Sequence, residues 1–461
     1  MRRPRPRLLP ALLVPLALSG AGNVQPELAP CALPGVEGQA RCGVIHVPED
    51  PAAPAGRRLA LRVVVLRALL PAAERDAVFY LSGGPGQAAT EAAAAVGAEL
   101  AAVRARRDVV LVDQRGTGPD GLRCRLAPGQ EARAWVTGAF PRERMEACRA
   151  RWNADPRFYT TRYAVRDLER ARAVLGYPRV NLVGVSYGTR VALAYLRAHP
   201  RRVRTATLRG AYPAAAPLPL YVARDAQAAF DRLAATHPGL AADVDRALAL
   251  ADSAPARLPL DAGQGRADTL VVGRDVLAGS LLLALYSRAG AEQVPAAARA
   301  AARGQPEALV ALGPGRMLPL LETLSAGVYL SVVCSEDVAR IRPGQGERAG
   351  AGTLLGGLLV RNLEASCAAW PRGPAPGGDT AAVRSRVPVL VISGDADPVT
   401  PPRWGASVLE TLPRGAHLVL AGVGHIPSFP PCARRATAQL IDRGSAAGLD
   451  LACAGEGSGA A

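Results

Sequence analysis

Val180-Asn181-Leu182-Val183-Gly184-Val185-Ser186-Tyr187-Gly188-Thr189 is the stretch that decides how this chain folds. Val180–Val185 is a short apolar run, the pattern of a central strand covered on both faces. From Tyr187 to Ala198 apolar residues return at helical spacing. Between strand and helix stands Gly-x-Ser-x-Gly, centred on Ser186. A serine on so sharp a turn needs a strained backbone, and glycine two residues to either side relieves the crowding of the flanking chains. The turn lifts the hydroxyl above the sheet and leaves the Tyr187 amide at the helix start, facing any oxyanion that forms there.

Similar strand runs surround this one: Leu59–Leu66, Ala77–Leu81, Asp108–Val112, Val387–Ile392 and His417–Leu420. Helical patterns at Tyr163–Leu175 and Tyr221–Ala235 join Tyr187–Ala198. Alternating strands and helices predict an α/β fold with a mostly parallel central sheet flanked by helices. Between about Ala211 and Arg386 the chain is rich in alanine and helical patterning, lacks strong strand runs, and is interrupted by stretches such as Pro371–Gly378. It reads as a helical cap inserted into one α/β domain. The expected division is therefore residues 1–21 as a signal peptide, 22–210 and 387–461 as the two parts of the core, and 211–386 as the cap.

A nucleophilic serine needs a base, and the base needs a carboxylate to orient it. On a strand–serine–helix turn these follow in the order Ser, acid, His. Of the five histidines only His417 and His425 lie beyond the resumed strand pattern. His417 opens a strand run and reads as structural, whereas His425 sits in the turn Gly422-Val423-Gly424-His425, where a catalytic loop belongs. Strand Val387–Ile392 leads into Ser393-Gly394-Asp395-Ala396-Asp397-Pro398-Val399-Thr400-Pro401-Pro402, which offers Asp395 and Asp397 as acids. Ser82-Gly83-Gly84-Pro85-Gly86 follows another strand, and its Gly84 amide is the expected second oxyanion donor beside Tyr187. Asp113 and Arg115, in Asp113-Gln114-Arg115-Gly116-Thr117-Gly118, read as braces for neighbouring loops.

Composition excludes other classes. The net charge of +16 comes with no lysine at all, and its arginines are spread along the chain without a nucleic-acid-binding motif. Nucleic acid is therefore not an expected partner. Arg2, Arg3, Arg5 and Arg7 precede an apolar run from Leu8 to Leu18, and Ser19-Gly20-Ala21 follows as a cleavage site. That is an export signal rather than a membrane span, since the run is short and broken by Pro10 and Pro15. Eight cysteines in four neighbouring couples suit an oxidising compartment, with nearest-neighbour pairing as the working hypothesis. None has metal-site spacing, and no metal or organic cofactor is expected.

Together these motifs resemble the serine aminopeptidase branch of the α/β hydrolases, especially tripeptidyl aminopeptidases and proline iminopeptidases. The resemblance rests on Cys42-Gly43 with Val47-Pro48, Gly83-Gly84-Pro85-Gly86, Asp113 through Gly118, Tyr159-Thr160-Thr161, Asp167-Leu168, Gly184 through Thr189, Gly394 through Pro402, and Gly424-His425. It implies the α/β-hydrolase fold and assigns the acid to Asp397, the carboxylate before Pro-Val-Thr-Pro. It also implies removal of N-terminal residues from short peptides. Recognition of a free amine calls for carboxylates in the cap, and Glu336 and Asp337, after Cys334, are the candidates. Two departures touch proline specificity: Ser82 stands where proline iminopeptidases often carry His, and Leu208-Arg209-Gly210 replaces Leu-Asp-Gly. The alternatives are an esterase using the same triad and a catalytically silent binding protein of the same fold.

Overall fold

The computed structural model describes residues 28–70, 74–261, 267–374, 377–425 and 430–452. The signal sequence read at residues 1–21 lies outside them. One sheet contains β1 (Ala29–Cys31), β2 (Ala40–Pro48), β3 (Arg58–Leu66), β4 (Asp76–Leu81), β5 (Val109–Val112), β6 (Arg179–Val185) and β7 (Val203–Arg209). A hairpin of β8 (Ala256–Asp261) and β9 (Ala267–Val272) stands apart, and β10 (Val389–Gly394) and β11 (Gly415–Leu420) complete the main sheet. Its order is β1-β2-β3-β5-β4-β6-β7-β10-β11. From β5 to β11 every neighbouring pair is parallel, while β1, β2 and β3 extend one edge antiparallel.

The burial pattern explains why the central strands read as unbroken apolar runs. Every residue of β5 and β10 is buried. Along β10, Val389 and Val391 join the core under the Tyr187–Ala198 helix, while Leu390 and Ile392 pack against the helix Pro431–Arg443 on the other face. Period-2 alternation thus feeds two cores at once. β2 and β7 were not legible from sequence. β7 reads Val-Arg-Thr-Ala-Thr-Leu-Arg and is nonetheless central, because its threonines are buried between two parallel neighbours.

The region 211–386 is mainly helical and holds one antiparallel hairpin, β8 with β9. Residues 128–151, expected with the sheet, also pack with it: Ala132 and Val136 share a buried cluster with Leu277, Leu281 and Leu248. The helices Pro128–Thr137 and Arg274–Ala284 approach so closely that a Cβ at Gly279 would stand 2.3 Å from the Val136 carbonyl oxygen.

Disulfides Cys31–Cys42, Cys124–Cys148 and Cys334–Cys367 follow the nearest-neighbour pairing. Cys432 is also disulfide-bonded, and Cys453 lies outside the described residues. The bonds 124–148 and 334–367 meet in one buried cluster with Phe140, Leu330 and Trp370. Closing the 33-residue separation of Cys334 and Cys367 removes chain entropy worth about 4 kcal/mol. The Cys334→Ala/Cys367→Ala variant is expected to lose roughly that much in urea denaturation. A loss below about 1 kcal/mol would mean that the apolar cluster alone holds this layer.

Candidate active site

Ser186 is the only non-glycine with positive φ among the described residues, at φ 52° and ψ −121°. Such a conformation costs about 1–3 kcal/mol and persists only where its surroundings enforce it. Here the Ser186 amide donates to the Arg209 carbonyl (2.8 Å), and the Ser186 carbonyl accepts from the Thr189 amide (2.8 Å) and hydroxyl (2.6 Å). The flanking glycines are obligatory. A Cβ on Gly184 would lie 2.5 Å from the Gly188 oxygen, and one on Gly188 would lie 2.0 Å from the Leu81 oxygen.

The ends of β6, β10 and β11 bring three distant side chains together. Ser186 Oγ lies 3.1 Å from His425 Nε2, and His425 Nδ1 donates to Asp397 Oδ2 at 2.8 Å. His425 and Asp397 are both buried. Asp395 is elsewhere: its carboxylate accepts from the Gly422 amide and holds the loop that leads to His425. His417 stays in β11, 3.0 Å from the Ser393 hydroxyl, with its basicity lowered by burial.

Asp397 is held from all sides. Its Oδ1 accepts the Val399 and Thr400 amides at 2.8 and 2.7 Å, and its Oδ2 accepts the Thr400 hydroxyl at 2.6 Å. Burial alone would raise its pKa, but the charge and hydrogen bond of His425 and the bonds from Thr400 outweigh it and hold the carboxyl below the usual range. A depressed folded-state pKa gives stability that is complete above the unfolded value of about 3.9 and is lost as pH falls through the folded one. Thr400 had no role in the sequence reading, although its motif was quoted. Its Oγ1 also lies 3.1 Å from His425 Nδ1, and a Cβ on Gly210 (φ +60°) would lie 2.8 Å from it. Thr400→Val removes a donor to a buried charge, an interaction worth about 1.5–3 kcal/mol. Expected are a roughly tenfold fall in kcat with KM little changed and a lower melting temperature; an unchanged kcat would show that the two amides suffice.

The loop after β4 lies against the nucleophile, since a Cβ on Gly83 would stand 3.3 Å from Ser186 Cβ. Gly84 and Gly86 have φ of +106° and +107°. The Gly86 carbonyl accepts the Ser325 amide at 3.0 Å, which ties this loop to the inserted region. Asp113 accepts the Thr90 amide and hydroxyl, and Arg115 forms a bidentate pair with Asp167 while donating to the Glu49 and Phe158 carbonyls. Both therefore brace loops. Arg209, the departure noted beside Gly210, turns its side chain to Glu99 at 2.6 Å; burial pushes its pKa down to about 10 against the pull of Glu99. Tyr286 was also missed: its ring meets the His425 ring edge-on, with centroids 5.0 Å apart. No sequence signal marked it.

Glu336 and Asp337 lie beside the Tyr187–Ala198 helix. Glu336 accepts the Thr161 amide (2.6 Å) and hydroxyl (2.7 Å), and that hydroxyl also meets the Tyr187 hydroxyl at 2.8 Å. Asp337 takes both guanidinium nitrogens of Arg190, at 2.8 and 3.0 Å, and the Leu218 amide. Their hydrogen bonds run to this buried network and none to the triad residues. The structure sets both carboxylates in a network behind Tyr187, hydrogen-bonded to Thr161, Arg190 and Leu218.

Comparison with known proteins agrees with this architecture. Residues 76–254 match the alpha/beta hydrolase fold family, and residues 355–453 match the family described as TAP-like protein. A tripeptidyl aminopeptidase of Streptomyces lividans is 32% identical over 181 residues, 36% of this chain and 34% of that protein. The aligned stretch thus spans about a third of that relative. Serine protease Hip1 of Mycobacterium tuberculosis is 27% identical over 442 residues, 86% of this chain and 83% of its own length. A solved proline iminopeptidase of Mycobacterium smegmatis superposes with a TM-score of 0.44 at 18% identity, covering 87% of this chain and 98% of that one. The sheet order and the strand–serine–helix turn are those of the α/β-hydrolase fold, and two segments of this chain match family models of that fold.

Proposed function

We propose that this hydrolase is a serine-type aminopeptidase that releases N-terminal residues or short peptides through an acyl-enzyme on Ser186. The observation that carries the reading is the run of hydrogen bonds from Ser186 through His425 to Asp397, set on a strained turn. In this mechanism His425 Nε2 takes the Ser186 proton as Oγ attacks the carbonyl, then returns it to the leaving amine. Asp397 holds the imidazole tautomer and stabilises the imidazolium. The Tyr187 and Gly84 amides take the oxyanion, each worth about 3 kcal/mol in the transition state. Water then attacks the acyl-enzyme with His425 again as base, and no cofactor takes part. The peptide substrate class is supported by the names of the relatives.

Export to a periplasm or the medium belongs to the same proposal. Its support is the N-terminal charge and apolar pattern together with the disulfides. No helix among the described residues is long and apolar enough to cross a membrane.

Because Glu336 and Asp337 are already engaged, an esterase with the same triad is the second reading. The deciding assay compares free-amine peptide arylamides, their amine-acylated counterparts and simple esters. Cleavage confined to the free-amine peptides supports the aminopeptidase. Ester cleavage alone overturns the peptidase reading and keeps the hydrolase.

A further inference from the structure

A closed-in cleft of about 410 Å³ lies behind the Tyr187–Ala198 helix, on the side of the buried Glu336–Arg190 network. None of Ser186, Asp397 and His425 lines it. Its volume falls within the range of small-molecule sites. The floor is apolar, formed by Val165, Leu193, Ala194, Ala198 and Val383. The polar walls have one sign in excess: five arginines (Arg162, Arg166, Arg190, Arg197, Arg340) line the cleft against Glu336 and Asp379.

These arginines are not equivalent. Arg190 is neutralised by Asp337, and Arg340 donates to the Ala214, Ala215 and Glu336 carbonyls. Arg197 is used by the carbonyls of Asp379 and Ala381. Arg162 reaches Asp379 only at 4.0 Å and is half exposed, and Arg166 has no ion pair or hydrogen bond among the described residues. Arg162, which also lies over the Tyr163 ring, and Arg166, near Asp167, thus keep guanidinium donors free for a ligand among the described residues. Beside them Thr160, only 4% exposed, begins the helix Thr161–Val174, and its hydroxyl, though buried, has no hydrogen-bond partner.

We propose that this cleft is a second binding site for the anion of a medium-chain fatty acid. The carboxylate lies between Arg162 and Arg166, and the chain covers Val165, Leu193 and Val383. An apolar floor excludes small inorganic anions as the preferred occupant, because they gain nothing from it. The excess of guanidinium groups selects the carboxylate over a neutral chain of equal length. A chain of roughly ten carbons suits the volume.

The test is calorimetric titration of the intact, disulfide-bonded protein with decanoate, with decanol and acetate as references. A carboxylate product could also enter the hydrolytic site, so the titration is repeated after Ser186 has been blocked with an arylsulfonyl fluoride. Saturable one-to-one binding of decanoate is expected, at least about tenfold tighter than either reference. It is expected to survive the blocking of Ser186 and to weaken about tenfold or more in Arg162→Ala/Arg166→Ala, whose positions are exposed and tolerate truncation. Equal affinity for decanol, loss of binding on blocking Ser186, or unchanged affinity in the double variant would each overturn the site. Failure here leaves the proposed peptidase untouched, since the cleft shares no residue with the triad.

Discussion

Ser186→Ala is expected to lower kcat by about 10⁴- to 10⁶-fold on whichever substrate the wild type cleaves, with KM changing far less. The hydroxyl is the attacking atom, and His425 Nε2, 3.1 Å away, is the base that takes its proton. His425→Ala should therefore cost about as much, and the double variant scarcely more, because the two act as one unit. Asp397→Asn belongs to the same test: it keeps the shape but offers His425 the wrong tautomer, and a fall of about 10⁴ is expected. The measurement is steady-state hydrolysis per mole of folded protein, with labelling by a fluorophosphonate probe, which Ser186→Ala must fail to take up, as the control. Activity within tenfold of wild type in Ser186→Ala would remove Ser186 as nucleophile.

The second large effect concerns stability. Asp337→Ala leaves the Arg190 guanidinium buried without its bidentate hydrogen-bonded partner, and only the Glu336 carboxylate, 3.8 Å away, still faces it. Breaking one side of a buried pair costs about 3–5 kcal/mol, because the remaining charge is stranded. The exposed pair Arg142–Glu146, one helical turn apart, is worth only about 0.3–0.5 kcal/mol by the same kind of measurement. The comparison shows that position, rather than the number of ion pairs, decides the energy. Urea denaturation is expected to show the large loss for Asp337→Ala and most of it regained in Asp337→Ala/Arg190→Leu. Should Asp337→Ala lie within about 1 kcal/mol of wild type, the network is not what fastens this segment to the helix after Ser186.

Much of the hydrolytic site was legible in sequence because its determinants are local. The glycines beside Ser186 answer a backbone clash within a few residues, and the strands around it are continuous apolar runs. The loops bearing Asp397 and His425 each follow such a strand. What failed was judged from composition. β7, with its two arginines and two threonines, was not read as a strand, and residues 128–151 were placed with the sheet domain. Neither error could be repaired locally, since burial depends on what packs across the gap.

Glu336 and Asp337 make the same point chemically. By sequence they were two acidic residues in the inserted region, open to any cation. Only folding sets Arg190 and Thr161 against them. The choice of Asp397 over Asp395 needed the resemblance to a family until the turn itself showed which carboxylate meets His425 and which meets Gly422. By itself, then, the sequence determined the strand–turn–helix around Ser186 and the order of its expected partners, because backbone sterics and apolar periodicity act over a few residues. The partners of each buried charge, the packing of residues 128–151 and the arginine-lined cleft were decided by the tertiary structure alone, because electrostatics and packing join residues that the chain keeps far apart.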